Sequence, residues 1–284
     1  MFRKWLTGRQ AGIGMGFLWF GRNKSRPASA ADPVSLDFIA SPDIEVVAAG
    51  AVAAAAAVLA SHPVQPTPDD ALQLLRDGNA AFLSGVSTLG HVTAHDLDAL
   101  QGGQHPIATI VGCADSRTPP TILFNQGLGR LFIIRVAGNT VDRRGLSSIV
   151  YAVKHLGCPL VVVMGHTGCG AVAAAEAIVD GLTELDPSLE EMIVPILPAV
   201  ITARRIGGPG LHPAVLSRLA VQENARRVVA RLLTADTALA EAVATGALRI
   251  VAAVKDRASG HVEFLDIPDA PPLVSMPSAQ PVHA

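Results

Sequence analysis

Between residues 104 and 267 the hydrophobic pattern alternates between two periods. Apolar runs rich in Val and Ile at 107–111 and 160–164 have the length and β-branching of buried strands, and 131–136, 248–254 and 262–267, each interrupted by charge, read as further strands. Between them, apolar residues recur at helical spacing. Leu146, Ile149, Val150, Val153 and Leu156 put one stripe on a helix over 145–156. The same period predicts helices over 171–179, 216–233 and 238–244, and Pro119 to Leu123 opens another. The stretch 190–205 reads as a helix made irregular by Pro195 and Pro198. Upstream, Thr67 caps and Pro68 opens an amphipathic helix to about Phe82, with Asp69 and Asp70 at its positive end. A loop over 85–93 and a short helical piece over 95–100 follow. Strands alternating with helices predict an α/β fold, a mostly parallel central β-sheet flanked by helices.

Both ends lack this alternation. Residues 1–65 read as an N-terminal extension, 66–268 as one folded domain, and 269–284 as a Pro-rich tail. In the extension, Arg3, Lys4, Arg9, Arg22, Lys24 and Arg26 surround Phe17-Leu18-Trp19-Phe20, a composition suited to an anionic membrane surface or to a partner subunit. The alternative is a poorly ordered tail. The uncharged run 46–60 is shorter than the ~20 residues that span a bilayer. Its length suits a signal-peptide core, but the basic residues lie far upstream and Asp43 and Glu45 stand beside it. The expectation is a cytoplasmic protein, with export or anchoring through 46–60 as the alternative.

Composition narrows the chemistry. Half of the 284 residues are hydrophobic, enough for a sizeable core. A formal charge of −2 and a single Tyr argue against a nucleic-acid partner. The arginine pairs 143–144, 204–205 and 226–227 read as solvated or ion-paired surface. Three cysteines are too few, and odd in number, for a disulfide framework; they suit a reducing compartment or a metal that takes two of them. Cys158, just before the third strand, reads as a small buried hydrophobe.

The other two cysteines carry the chemistry. Gly112-Cys113-Ala114-Asp115-Ser116-Arg117 follows the first strand, and His166-Thr167-Gly168-Cys169-Gly170 follows the third. Ends of parallel strands are where open sheets bind ligands. Cys113, His166 and Cys169 offer two thiolates and an imidazole, a zinc set with one position left open, as in catalytic sites. Cys113 and His166 stand 53 positions apart, unlike any finger or ribbon but compatible with two strand ends meeting at one ion. Asp115 can close that site as a fourth ligand or pair with the Arg117 fork. Paired, it stays ionised and acts only as a hydrogen-bond acceptor.

These motifs, C-x-D-x-R followed by H-x-x-C, resemble those of the β-class carbonic anhydrases, and the resemblance runs from about Pro68 to Ile267. It implies Zn2+ on Cys113, His166 and Cys169, a catalytic Asp115–Arg117 dyad, and reversible hydration of CO2 to bicarbonate and a proton by zinc-bound hydroxide. Gln104 resembles the glutamine that binds bicarbonate across the subunit interface, Phe132 and Tyr151 the aromatics lining an apolar pocket, and Gly170 a backbone approach to substrate. The resemblance also implies a homodimer or higher even oligomer. Arg135, Ala137 and Asn139 fit the loop after the second strand. Val150, Thr118-Pro119-Pro120 and Lys255 depart from the usual pattern. His105 is one of several histidines able to relay the proton. Alternatives on the same residues are a hydrolase of carbon disulfide or carbonyl sulfide, or a zinc-stabilised binding protein without activity.

Overall fold

A computed structural model describes residues 65–86, 89 and 92–265. The aromatic patch, the run 46–60 and the Pro-rich tail lie outside the described residues. No helix among the described residues is long and apolar enough to cross a membrane.

Five strands form one sheet: β1 (Ala108–Gly112), β2 (Leu131–Arg135), β3 (Leu160–His166), β4 (Arg249–Lys255) and β5 (Val262–Phe264). Their order is β2-β1-β3-β4-β5, parallel except for β5, which pairs antiparallel with β4. From β1 the chain moves outward to β2 and then returns to the other side of β1 as β3. The β1/β3 boundary is thus the point where strand order reverses. The predicted third strand gains two residues, because Gly165 and His166 keep pairing with Val254 and Lys255 of β4. His166 therefore ends the strand rather than following it.

β1 and β3 are buried at every position. Alternate residues point to opposite faces, and both faces are covered, which explains their nearly continuous apolar runs. Ile110, Leu160, Val162 and Met164 pack with Leu72 and Leu75 of α1 (Pro68–Leu83) and with Leu123 of α3 (Pro120–Leu123); α2 spans Ala94–Leu100. Val111, Val161 and Val163 face the second layer: α4 (Arg143–Leu156), α5 (Gly170–Val179), α7 (Leu197–Gly207), α8 (Pro213–Ala235) and α9 (Thr237–Ala244). Each such side chain contributes about 1.5–3 kcal/mol of burial.

Helix boundaries follow caps that the apolar pattern does not mark. Asp142 accepts from the Gly145 N–H and starts α4 at Arg143, two residues before the predicted start at 145. The His212 ring accepts from the Ala214 N–H, and Pro213 starts α8 three residues early. The irregular stretch resolves into α6 (Glu190–Ile193), a tight turn at Val194–Ile196 and α7, broken where Pro195 cannot donate. Asn79 ties α1 to its neighbours, donating to the Leu123 and Gly260 carbonyls and accepting from the Val262 N–H. Beside it, a Cβ on Gly78 would lie 1.8 Å from the Phe124 carbonyl oxygen, so only glycine lets α1 approach this closely.

Candidate metal centre

Three ligand atoms converge at the C-terminal ends of β1 and β3. Those of Cys113, His166 and Cys169 all lie within 4.8 Å of one another, and the three residues are buried. The two Sγ atoms are 4.0 Å apart. Two thiolates on one tetrahedral zinc, each at ~2.3 Å, stand ~3.8 Å from one another. His166 Nδ1 lies 3.1 Å from the Thr167 carbonyl, which accepts its proton and leaves Nε2 as the free lone pair. That buried Nε2 has no hydrogen-bond partner. An unmet imidazole nitrogen facing two thiols is the donor set a thiophilic divalent cation takes, so the residues present fit zinc.

The thiols themselves ask for a cation. The Cys113 thiolate is stabilised first by the Cys169 S–H, then by the backbone N–H groups of Asp115 and Gly138, at 3.4 and 3.3 Å. Its pKa is lowered strongly. Cys169 is raised, because its neighbour is already an anion and burial disfavours a second one. Its position as N-cap of α5 partly opposes this, through the Ala171 and Val172 N–H groups. Both sulfurs ionise together only around a positive charge.

Asp115 stands over this triangle. Its Oδ1 accepts from Arg117 Nε at 2.9 Å, its Oδ2 from Arg117 Nη2 at 2.5 Å, and the Arg117 N–H adds a third bond to Oδ1 at 2.9 Å. The guanidinium holds the carboxyl well below the usual carboxylate range. Oδ2 also lies 3.9 Å from His166 Nε2, so the acceptor sits beside the ligand cluster. The loop is held from behind. Arg135 donates to the Cys113 carbonyl at 2.8 Å and to the Asp115 carbonyl at 2.5 Å, and the Thr118 hydroxyl donates to the Asp115 carbonyl at 2.9 Å. Lys255, buried at the end of β4, reaches the Arg117 carbonyl at 3.4 Å, and burial lowers its pKa. On the other loop, Gly168 has φ +67°, and a Cβ there would meet the Arg257 guanidinium at 2.8 Å.

The remaining predicted site residues divide. Gly170 begins α5 beside Cys169, exposed, with nothing within 4 Å of where a Cβ would stand. Gln104 is exposed and precedes β1, so eight residues, five of them in β1, stand between it and Cys113, a reach of at most ~30 Å. Phe132 pairs in register with Thr109, roughly 10 Å along the strands from the level of Gly112. It packs on Tyr151, ring centroids 6.3 Å apart, and Tyr151 on His155 at 5.3 Å. Tyr151 is 48% exposed, next to the open edge of β2. A single chain thus assembles the ligands, the dyad and Gly170, and leaves Gln104, Phe132 and Tyr151 elsewhere. A cavity of about 650 Å3, with Leu100, Ile122, Leu128 and Leu131 in its wall, lies at the start of β2 and not at the metal cluster. Arg135 and Thr118 carry more of the loop than their sequence context indicates; Arg135, a lone cation at a strand end, was the readable signal. The roles of Gly138 and Lys255 depend on which backbone groups the fold brings near and left no local mark.

The chain matches the family model described as carbonic anhydrase over residues 108–262. It is 36% identical over 201 residues to carbonic anhydrase 2 of Mycobacterium tuberculosis, covering 70% of this chain and 93% of that protein. A carbonic anhydrase of Mycolicibacterium smegmatis is 35% identical over 199 residues, covering 69% and 93%. Among solved structures, tetrameric β-carbonic anhydrases of Sordaria macrospora match with a TM-score of 0.54 at 25% identity, over 62% of this chain and 88% of that one. A β-carbonic anhydrase of Aspergillus fumigatus matches with 0.53 at 29%, over 61% and 82%. Since the model runs from β1 to the start of β5 and includes both ligand-bearing loops, the chain belongs to the β-class carbonic anhydrases, a family of lyases.

Proposed function

We propose that the protein catalyses the reversible hydration of CO2 to bicarbonate and a proton at a zinc ion held by Cys113, His166 and Cys169. The observation that carries this reading is the ionised Asp115, bound on both oxygens by Arg117 while standing beside the buried Cys–His–Cys triangle. A purely structural metal needs no such acceptor. When bound, zinc supplies the Lewis acidity that makes water a nucleophile near neutral pH. Asp115, unable to donate, accepts a hydrogen bond from the attacking oxygen and so turns its lone pair toward the carbon of CO2. Arg117 keeps that carboxylate charged and oriented, and Arg135 and Thr118 fix the backbone that carries it. The Gly170 N–H faces the substrate oxygens as bicarbonate forms.

Gln104, Phe132 and Tyr151 enter from an adjoining copy of the chain, which makes the working unit a homo-oligomer with an even number of subunits. The placement of Gln104 before β1 and of Cys113 after it, and the exposed aromatics beside the edge strand β2, support this. The test is stopped-flow CO2 hydration by the zinc-loaded protein, before and after chelation, with zinc content measured alongside. Activity should vanish with the metal and return with it. Cys169→Ala should lose most of its zinc. Hydration that survives complete zinc removal, or full zinc retention by Cys169→Ala, would overturn the assignment.

A further inference from the structure

The arginine-rich stretches divide into two kinds. Arg204 holds Asp180 through two hydrogen bonds, at 3.2 and 2.7 Å, and Arg226 holds Glu223 at 3.0 Å. The guanidinium groups of Arg143, Arg227 and Arg231, by contrast, form no hydrogen bond or ion pair with any described residue. These three line one concave strip where α4 and α8 meet the start of α7. The strip consists of two cavities, of about 170 and 130 Å3, that share Val141, Val228 and Arg231.

Arg227 and Arg231 stand one turn apart on α8, a spacing at which like charges repel. Arg143, at the first turn of α4, adds a third positive charge across the strip. The nearest acid in the wall, Asp142, has its Oδ1 committed to the Gly145 N–H at 2.7 Å. The floor is polar as well. Thr140 and Asn224 are buried there, and Asn224 Nδ2 donates to the Gly138 carbonyl at 2.8 Å. Three guanidinium forks without acid partners, over a concave surface with a polar floor, form a receptor for an oxyanion rather than a solvated face. Guanidinium geometry matches phosphate oxygens in pairs, and a dianion turns the Arg227–Arg231 repulsion into attraction.

We propose that this strip is a binding site for a phosphate group, distinct from the metal centre. The 130 Å3 cavity between Arg227 and Arg231 takes the phosphate itself. The adjoining 170 Å3 cavity, with Leu146, Val228 and Leu232 in its wall, has room for the apolar part of a phosphate monoester. Calorimetric titration of the zinc-loaded, full-length protein at constant ionic strength tests this, with inorganic phosphate and phenyl phosphate as probes. Saturable binding is expected, weakened at least tenfold in Arg227→Gln, Arg231→Gln and Arg143→Gln. It should be unchanged in Arg205→Gln, which alters an exposed arginine of α7 outside the strip. Tighter binding of phenyl phosphate assigns the site to monoesters, and equal or weaker binding assigns it to free phosphate. As a check independent of affinity, phosphate should raise the unfolding temperature of the wild type and leave that of Arg231→Gln in place. Failure of both probes to saturate, or equal weakening in Arg205→Gln, overturns the proposal.

Discussion

Asp115 illustrates how much one hydrogen-bond acceptor can decide. Arg117 holds its pKa well below the ordinary ~3.9, so the native pair stays formed well below pH 4, where the unfolded chain's carboxyl already takes up its proton. The stability that wild type holds over Arg117→Gln should therefore be fully present at about pH 6 and shrink progressively as the pH falls below about 4 toward the lowered native pKa. Chemical denaturation of both proteins at several pH values measures it, and a gap that widens on acidification would contradict the pairing. Asp115→Asn keeps the shape but introduces a donor, so the attacking oxygen loses its aim. A fall in kcat/KM of roughly 100-fold or more, with zinc and fold retained, is expected. Turnover near wild type at alkaline pH would remove Asp115 from the mechanism.

At the scale of elements, the molecule depends on a few close approaches between helix and sheet. Gly78→Ala places a methyl group against the Phe124 carbonyl, a backbone atom that cannot rotate away. It should cost about 3 kcal/mol, lowering the unfolding temperature by roughly 6–12 °C. A shift under one degree would show that α1 moves freely over α3. This contact was invisible in the sequence, where Gly78 looks like a weak point in an amphipathic helix. The strands were legible because burial on both faces leaves a nearly continuous apolar run, as in Leu160 to Met164 of β3. The caps Asp142 and His212 were not, since a polar residue before a helix gains its role only when the backbone turns toward it. The same holds at the metal centre. Cys113, His166 and Cys169 declare themselves by residue type, whereas the Gly138 N–H and the Lys255 ammonium reach the loop only through the fold.

For the whole molecule, the division of residues between the two ends of β1 sets the rule of assembly. If Gln104 serves the Cys113 of another copy, Gln104→Ala and Asp115→Asn impair different partners in a mixed dimer. One pocket of such a dimer carries both defects and the other carries none. Random 1:1 reassociation should then restore roughly a quarter of wild-type activity from two nearly inactive parents. Activity that stays at the parental level after verified subunit exchange would place Gln104 outside the shared pocket. On that proposal, the exposed Tyr151 and the edge strand β2 are the surfaces the assembly would cover.

The 4.0 Å between the two sulfurs of the metal centre also bears on how the protein ages. With zinc removed, nothing keeps Cys113 and Cys169 from losing two electrons and two protons to dissolved oxygen or peroxide and joining as a disulfide. Cys158 has no such fate: its sulfur is buried beside the Thr109 hydroxyl and the Leu160 carbonyl. Metal-free protein left in air should titrate as one thiol after denaturation and refuse zinc until a reductant is added, whereas the zinc-loaded protein keeps three. Three thiols in the aired, metal-free sample would show that the pair does not close. Metal loss in an oxidising solution is then a ratchet, and the shelf life of the enzyme is set by how rarely its zinc departs.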